Sequence, residues 1–129
     1  MTEERVAIVT GGSLGIGLAA VRALAAKGIR VMALARDPGR LERAVAGIEG
    51  VAAMAADVSD EADVVRAIGR TVERFGRLDI LLNSAGVSMS GKDRLVDTNS
   101  EEWHRIVDIN LTGTYLMCRE ALPQLQKSP

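Results

Sequence analysis

Short apolar runs alternate along this chain with longer stretches of helical period. Residues 6–10, 30–35, 51–56 and 79–83 are the short runs. Runs apolar on both faces suit parallel strands covered on each side. The third is rich in Ala, so propensity alone would miss it, and its brevity and flanks mark it as a strand. Between the first two, residues 15–27 read as an Ala- and Leu-rich helix with Gly28 as its C-terminal cap. Asp37 as N-cap and Pro38 at the first helical position open a second helix. It ends near residue 46, before Gly47 and Gly50. Ser59 is the expected cap of a third helix, with Asp60, Glu61 and Asp63 complementing its dipole. Val64, Val65, Ile68, Val72 and Phe75 recur there at helical spacing, and Gly76 closes it. Residues 84–97 read as a polar loop. Ser100, followed by Glu101 and Glu102, opens a helical stretch to about residue 126, with a kink or break expected at Pro123.

Strands that alternate with helices imply βαβ units, a parallel sheet and right-handed crossovers. The expected architecture is therefore α/β, the front part of a doubly wound parallel sheet. Four strands are about half of a complete six-strand sheet of that type. There is no internal repeat, low-complexity tract or linker, so residues 1–129 read as one domain.

Composition narrows the functional classes. Hydrophobic residues make up 47%, enough for a core, while aromatics at 2% offer no platform for single-stranded nucleic acid. A net charge of −1, with basic residues dispersed, gives a polyanion no electrostatic foothold. Cys118 is the only cysteine and His104 the only histidine, which removes an intrachain disulfide, Ser-His-Asp chemistry and most zinc sites. No metal site is expected. The N-terminus lacks a signal-peptide pattern and no apolar run approaches the length of a membrane span, so the expected location is cytoplasmic.

The first strand runs directly into Thr10-Gly11-Gly12-Ser13-Leu14-Gly15-Ile16-Gly17, and the first helix follows. Gly11 allows a sharp exit from the strand, Gly15 lets backbone approach a pyrophosphate, and Gly17 lets the helix pack close to the strand. Amides of Ser13, Leu14 and Ile16 and the positive end of the helix dipole then face the phosphates. The Gly-Lys-Ser/Thr ending of a P-loop is absent. Without its context, the same turn would be no more than a tight bend.

The spacing Gly-x3-Gly-x-Gly after Thr10 resembles the turn of the short-chain dehydrogenase/reductase family, which implies a Rossmann-like, nicotinamide-dinucleotide-binding sheet. Later segments extend the resemblance over nearly the whole chain. Asn83-Ser84-Ala85-Gly86 is similar to the family's Asn-Asn-Ala-Gly, with Ser84 as a departure. Trp103 to Gly113 resembles its Trp-x6-Asn-x2-Gly segment. The resemblance implies that Asn83 ties the central sheet together and that Ala85 and Gly86 flank the cofactor ribose. It implies that Asp57 and Val58 contact adenine and that Ile109 lies on the cofactor side. Asn110 corresponds to the Asn of the catalytic tetrad. At the end of the second strand, Ala35 stands where NAD-preferring relatives carry Asp, and Arg36 follows. A guanidinium grips a phosphate bidentately. NADP(H) is therefore favoured, with NAD(H) as the alternative.

The family's chemistry also needs a Ser and then a Tyr-x3-Lys beyond the next strand, and these 129 residues do not contain that segment. Tyr115 is followed by Arg119 and reads as a packing residue, Cys118 as an inert thiol and His104 as solvated. The expected activity is hydride transfer between NADP(H) and a small-molecule carbonyl or alcohol substrate in a complete protein, with these 129 residues alone inactive. An open fourth strand favours a natural chain that continues past Pro129. The alternatives are a non-catalytic dinucleotide-binding module and an α/β interaction domain without a ligand. Leu111, Leu116, Met117 and Leu122 form a possible partner-facing stripe on the last helix, consistent with a homo-oligomer, or else ordinary core.

Overall fold

The computed structural model describes residues 4–89, 91 and 94–129. Residues 1–3, and positions 90, 92 and 93 of the expected polar loop, lie outside the described residues. The four apolar runs form strands β1 (Val6–Thr10), β2 (Arg30–Ala35), β3 (Val51–Ala55) and β4 (Ile80–Asn83). All pair in parallel in the order β3-β2-β1-β4. Ala56 and Asp79 fall just outside β3 and β4, yet each amide still donates to a neighbouring strand, at 2.9 Å. The order reverses between β1 and β4, and such a switch point opens a crevice at the carboxyl ends of the strands.

Strand alternation divides the core into two layers. Ile8, Met32 and Leu34 face α3 (Glu61–Phe75) and α5 (Gly113–Leu125), meeting Val64, Ala67, Ile68, Leu116 and Met117. Ala7, Val9, Val31 and Ala33 face α1 (Gly15–Ala26) and α2 (Pro38–Val45), meeting Val21, Leu41 and Val45. Both faces are covered, which is why the strands read as unbroken apolar runs. Each fully buried Leu or Val contributes roughly 1.5–3 kcal/mol.

Several local features differ from the sequence expectations. The cap of α3 is Asp60, whose Oδ1 accepts the Ala62 amide at 2.9 Å. Ser59 instead donates its hydroxyl to Asp57 Oδ1 at 2.6 Å. Part of the polar loop folds as a 3-10 turn at Leu95–Asp97. The stretch after Ser100 is not one uniform helix. It comprises α4 (Ser100–Val107), capped by Asn99, a π-helical turn at Asp108–Thr112, and α5. α5 continues through Pro123 to Leu125, because a proline in the last turn costs little further helix.

The mixed stripe on the π-helical turn and α5 separates into two faces. Leu116 and Met117 are core, whereas Leu111, Tyr115 and Leu122 are each more than half exposed. Tyr115 is therefore not a packing residue. Its hydroxyl accepts from Arg119 Nη1 at 3.2 Å, and the Arg119 guanidinium lies 5.3 Å from the ring centre. Arg119 also pairs with Glu61 and Glu120.

At the amino ends of the strands, opposite the crevice, Asp79 joins three segments of the chain. Its carboxylate accepts both Arg77 Nε and Nη2 (2.8 and 2.7 Å), the Val6 amide (2.9 Å) and the Ser128 hydroxyl (2.6 Å). The Arg77 guanidinium first, then Ser128 and Val6, outweigh burial and hold this carboxyl at about 2. No helix among the described residues is long and apolar enough to cross a membrane.

Candidate functional site

β1 ends at Thr10 and the chain turns through Gly11 and Gly12 into α1. Two positive-φ glycines, Gly11 (64°) and Gly15 (58°), shape this turn. Gly11 serves close approach as well as the bend, because a Cβ there would meet the Ser84 carbonyl at 2.8 Å. Gly17 is more constrained. A Cβ at Gly17 would lie 2.0 Å from the Gly11 carbonyl oxygen, so the close contact is with the turn itself rather than with the strand. Thr10, 1% exposed, locks the turn to the exit of β4: its hydroxyl oxygen accepts the Ser84 and Ala85 amides, both at 3.0 Å.

The start of α1 differs from the other loop-to-helix junctions. α2, α3 and α4 are each capped by a side chain, Asp37, Asp60 and Asn99. α1 begins after Leu14 with no side-chain cap and no acidic residue in its first turn. A helix N-terminus left with open amides and an uncompensated dipole is suited to an anion. Leu14 (54% exposed) and Ile16 (82% exposed) place apolar surface beside it.

This turn forms one wall of a cavity of about 500 Å³. Of the residues expected to bind cofactor, Gly11, Ser13, Leu14, Gly15, Ile16, Arg36, Val58, Ala85, Gly86 and Ile109 line it. Gly17, Asp57, Asn83 and Asn110 do not. Gly17 lies beneath the turn. Asp57 is engaged in its own turn, with Oδ1 accepting from the Ser59 amide (2.9 Å) and hydroxyl. The Asp57 amide donates to Asp63 Oδ2 at 2.8 Å, and that bond, with help from Arg66, holds the Asp63 carboxyl below its ordinary value. Asn83 Nδ2 lies 3.4 Å from Cys118 Sγ and thus joins β4 to α5.

Asn110 acts on the cavity wall indirectly. Its Oδ1 accepts the Val87 amide at 2.7 Å and its Nδ2 donates to the Val87 carbonyl at 2.8 Å. Val87 lines the cavity, so this two-point clamp fixes the backbone that leaves β4. The π-helical turn places Asn110 there, and Thr114 donates its hydroxyl to the Asn110 carbonyl at 2.9 Å. Sequence reasoning missed Leu34, Asp37, Arg40, Ala56, Ser84 and Val87 as lining residues. For Arg40 a signal existed: it falls in the first turn of α2, directly after the loop that carries Arg36. His104 lies exposed on α4, and Cys118 is exposed on α5.

Volume, uncapped helix end, glycine backbone and apolar walls together fit an elongated ligand carrying phosphates. The fold and crevice define a parallel α/β protein of Rossmann-like type. Residues 5–129 match the short chain dehydrogenase family, and the chain belongs to it. The sequence is 39% identical over 128 residues to 2-(R)-hydroxypropyl-CoM dehydrogenase of Xanthobacter autotrophicus, covering 95% of this chain and 51% of that protein. The fold is similar to 3-ketoacyl-(acyl-carrier-protein) reductase from Brucella melitensis complexed with NADH, with a TM-score of 0.90 and 36% identity over 95% of this chain and 50% of the other. It is also similar to actinorhodin polyketide ketoreductase with NADPH, with a TM-score of 0.87 and 30% identity over 92% of this chain and 46% of the other. The chain thus spans about half the length of the relatives it matches.

Proposed function

We propose that this chain is the cofactor-binding half of an NADP(H)-dependent oxidoreductase acting on a small carbonyl or alcohol substrate. The observation that carries this is the uncapped start of α1, set against a cavity that extends from the glycine turn to Arg36. In this reading the amides around Ser13, Leu14, Gly15 and Ile16 hold the pyrophosphate. Val58 packs against adenine, Ile109 lies on the cofactor side, and Ala85 and Gly86 lie along the ribose. Ala35 brings no carboxylate to the adenosine ribose, and Arg36 brings a guanidinium, which favours a 2′-phosphate. When bound, the nicotinamide supplies or accepts the hydride.

Asn110 supports this reading as a positioning residue for the wall at Val87. The Ser and Tyr-x3-Lys of the family are absent from these residues, and Tyr115 with Arg119 is already committed to a surface network. The 129-residue chain on its own is therefore expected to bind cofactor without turning over substrate. Calorimetric titration of the purified chain with NADPH and with NADH tests this. Saturable one-to-one binding, tighter for NADPH, is the expected result. No heat with either would overturn the reading, and tighter NADH binding would overturn the preference.

A further inference from the structure

We propose that Arg40 is a second selectivity residue, gripping a 2′-phosphate together with Arg36, while Asp37 is committed to α2 rather than to the ribose. This rests on the dinucleotide reading above.

Arg36 and Arg40 both line the cavity. Neither guanidinium has an ion pair or hydrogen bond among the described residues, so both are available to an anion in the cavity. Arg40 lies in the first turn of α2, which holds no acidic residue. A cation there opposes the helix dipole, an arrangement that improves when an anion joins it. Leu41, 1% exposed, anchors α2 against the sheet and so keeps its neighbour Arg40 at the rim.

Asp37 is the one carboxylate beside them in the cavity wall. A carboxylate that reads the ribose must aim at its 2′-hydroxyl. Asp37 Oδ1 is already accepting the Arg40 amide at 3.1 Å as the cap of α2. Two guanidinia against one carboxylate leave a net positive rim. That rim suits a dianionic phosphate and offers a neutral diol little.

The test uses the 129-residue chain, with NADPH and NADH as probes. Arg40→Gln should weaken NADPH binding about tenfold and NADH binding less than twofold, as expected for loss of a charge-assisted bond made to only one ligand. Arg40→Lys keeps the charge without the planar fork and should fall between. Asp37→Asn keeps the cap and should leave NADH affinity unchanged while strengthening NADPH binding. Equal loss of both ligands in Arg40→Gln would place Arg40 on a group common to both and overturn the proposal. Loss of NADH affinity in Asp37→Asn would overturn the assignment of Asp37. If the unmutated chain binds neither ligand, the dinucleotide reading itself fails and this inference fails with it. If it binds both and Arg40→Gln leaves their ratio unchanged, Arg40 alone is refuted. Thermal melting of each variant, within a few degrees of the parent, confirms that the comparison is between folded proteins.

Discussion

Gly17 shows how tightly single residues constrain the phosphate turn. The missing Cβ leaves room for the Gly11 carbonyl, which would otherwise sit 2.0 Å away. Backbone on both sides cannot relax as a flexible side chain would. Gly17→Ala is expected to destabilise the fold by about 1–3 kcal/mol, the range for overpacking, and to reduce cofactor affinity at least tenfold by displacing the turn. Urea unfolding and calorimetric titration measure the two effects. This role was partly legible, since a glycine at that spacing marks a close approach, but the contacting group was not. The Gly11 carbonyl reaches Gly17 only because the turn folds back on itself, and spacing alone does not encode that. Asp57 is the converse case. Its position after β3 was legible, yet its carboxylate oxygen is taken up by Ser59, a local bond that competes with any ligand.

At the scale of elements, the sequence was most informative where hydrophobic period was strong. Four strands and the first three helices appear within a residue or so of their expected bounds. Legibility failed after Ser100, where one helical period hid α4, a π-helical turn and α5. One extra residue in a turn scarcely alters an apolar pattern. The visible sign was Asn110, a weak helix former in mid-helix. Removing its clamp in Asn110→Ala should free the Val87 amide, with hydrogen exchange there accelerating about tenfold or more and little change in global stability. Exchange unchanged at Val87 would show that the wall is held by other contacts. Asp79 makes a comparable junction at the amino ends of β1 and β4. Its carboxyl is held at about 2 against an ordinary 3.8, and it is 2% exposed. A depressed carboxyl stabilises the folded state above its unfolded value and loses that contribution as pH falls through the folded value. Asp79→Asn should therefore cost roughly 2 kcal/mol near neutral pH. The gap between the two proteins should close as pH drops from 3.8 towards about 2. Denaturation curves recorded across that window check it, and a gap that stayed constant would remove the ionised carboxylate as the cause.

The whole molecule presents the cavity on one side and open surface on another. The sheet order leaves β4 as an edge, with backbone groups free to pair. Nearby, Leu111 in the π-helical turn and Tyr115, Cys118 and Leu122 on α5 follow one another at intervals of three and four, and all four are exposed. That spacing makes a continuous stripe on the helix, while Leu116, Met117 and Ala121 fill the opposite, core-facing side. An apolar stripe of this kind, with a further exposed aromatic at Trp103 on α4, favours association in water. The 13.7 kDa chain is therefore expected to self-associate at micromolar concentration, with a weight-average mass above the monomer in sedimentation equilibrium. Leu111→Asp combined with Leu122→Asp leaves the core layer untouched and puts charge on the stripe alone. The double variant should sediment as a monomer with an unchanged melting temperature and unchanged NADPH affinity, because neither residue lines the cavity. Persistence of the larger species in that variant would move the contact to another surface, the open edge of β4 first among them.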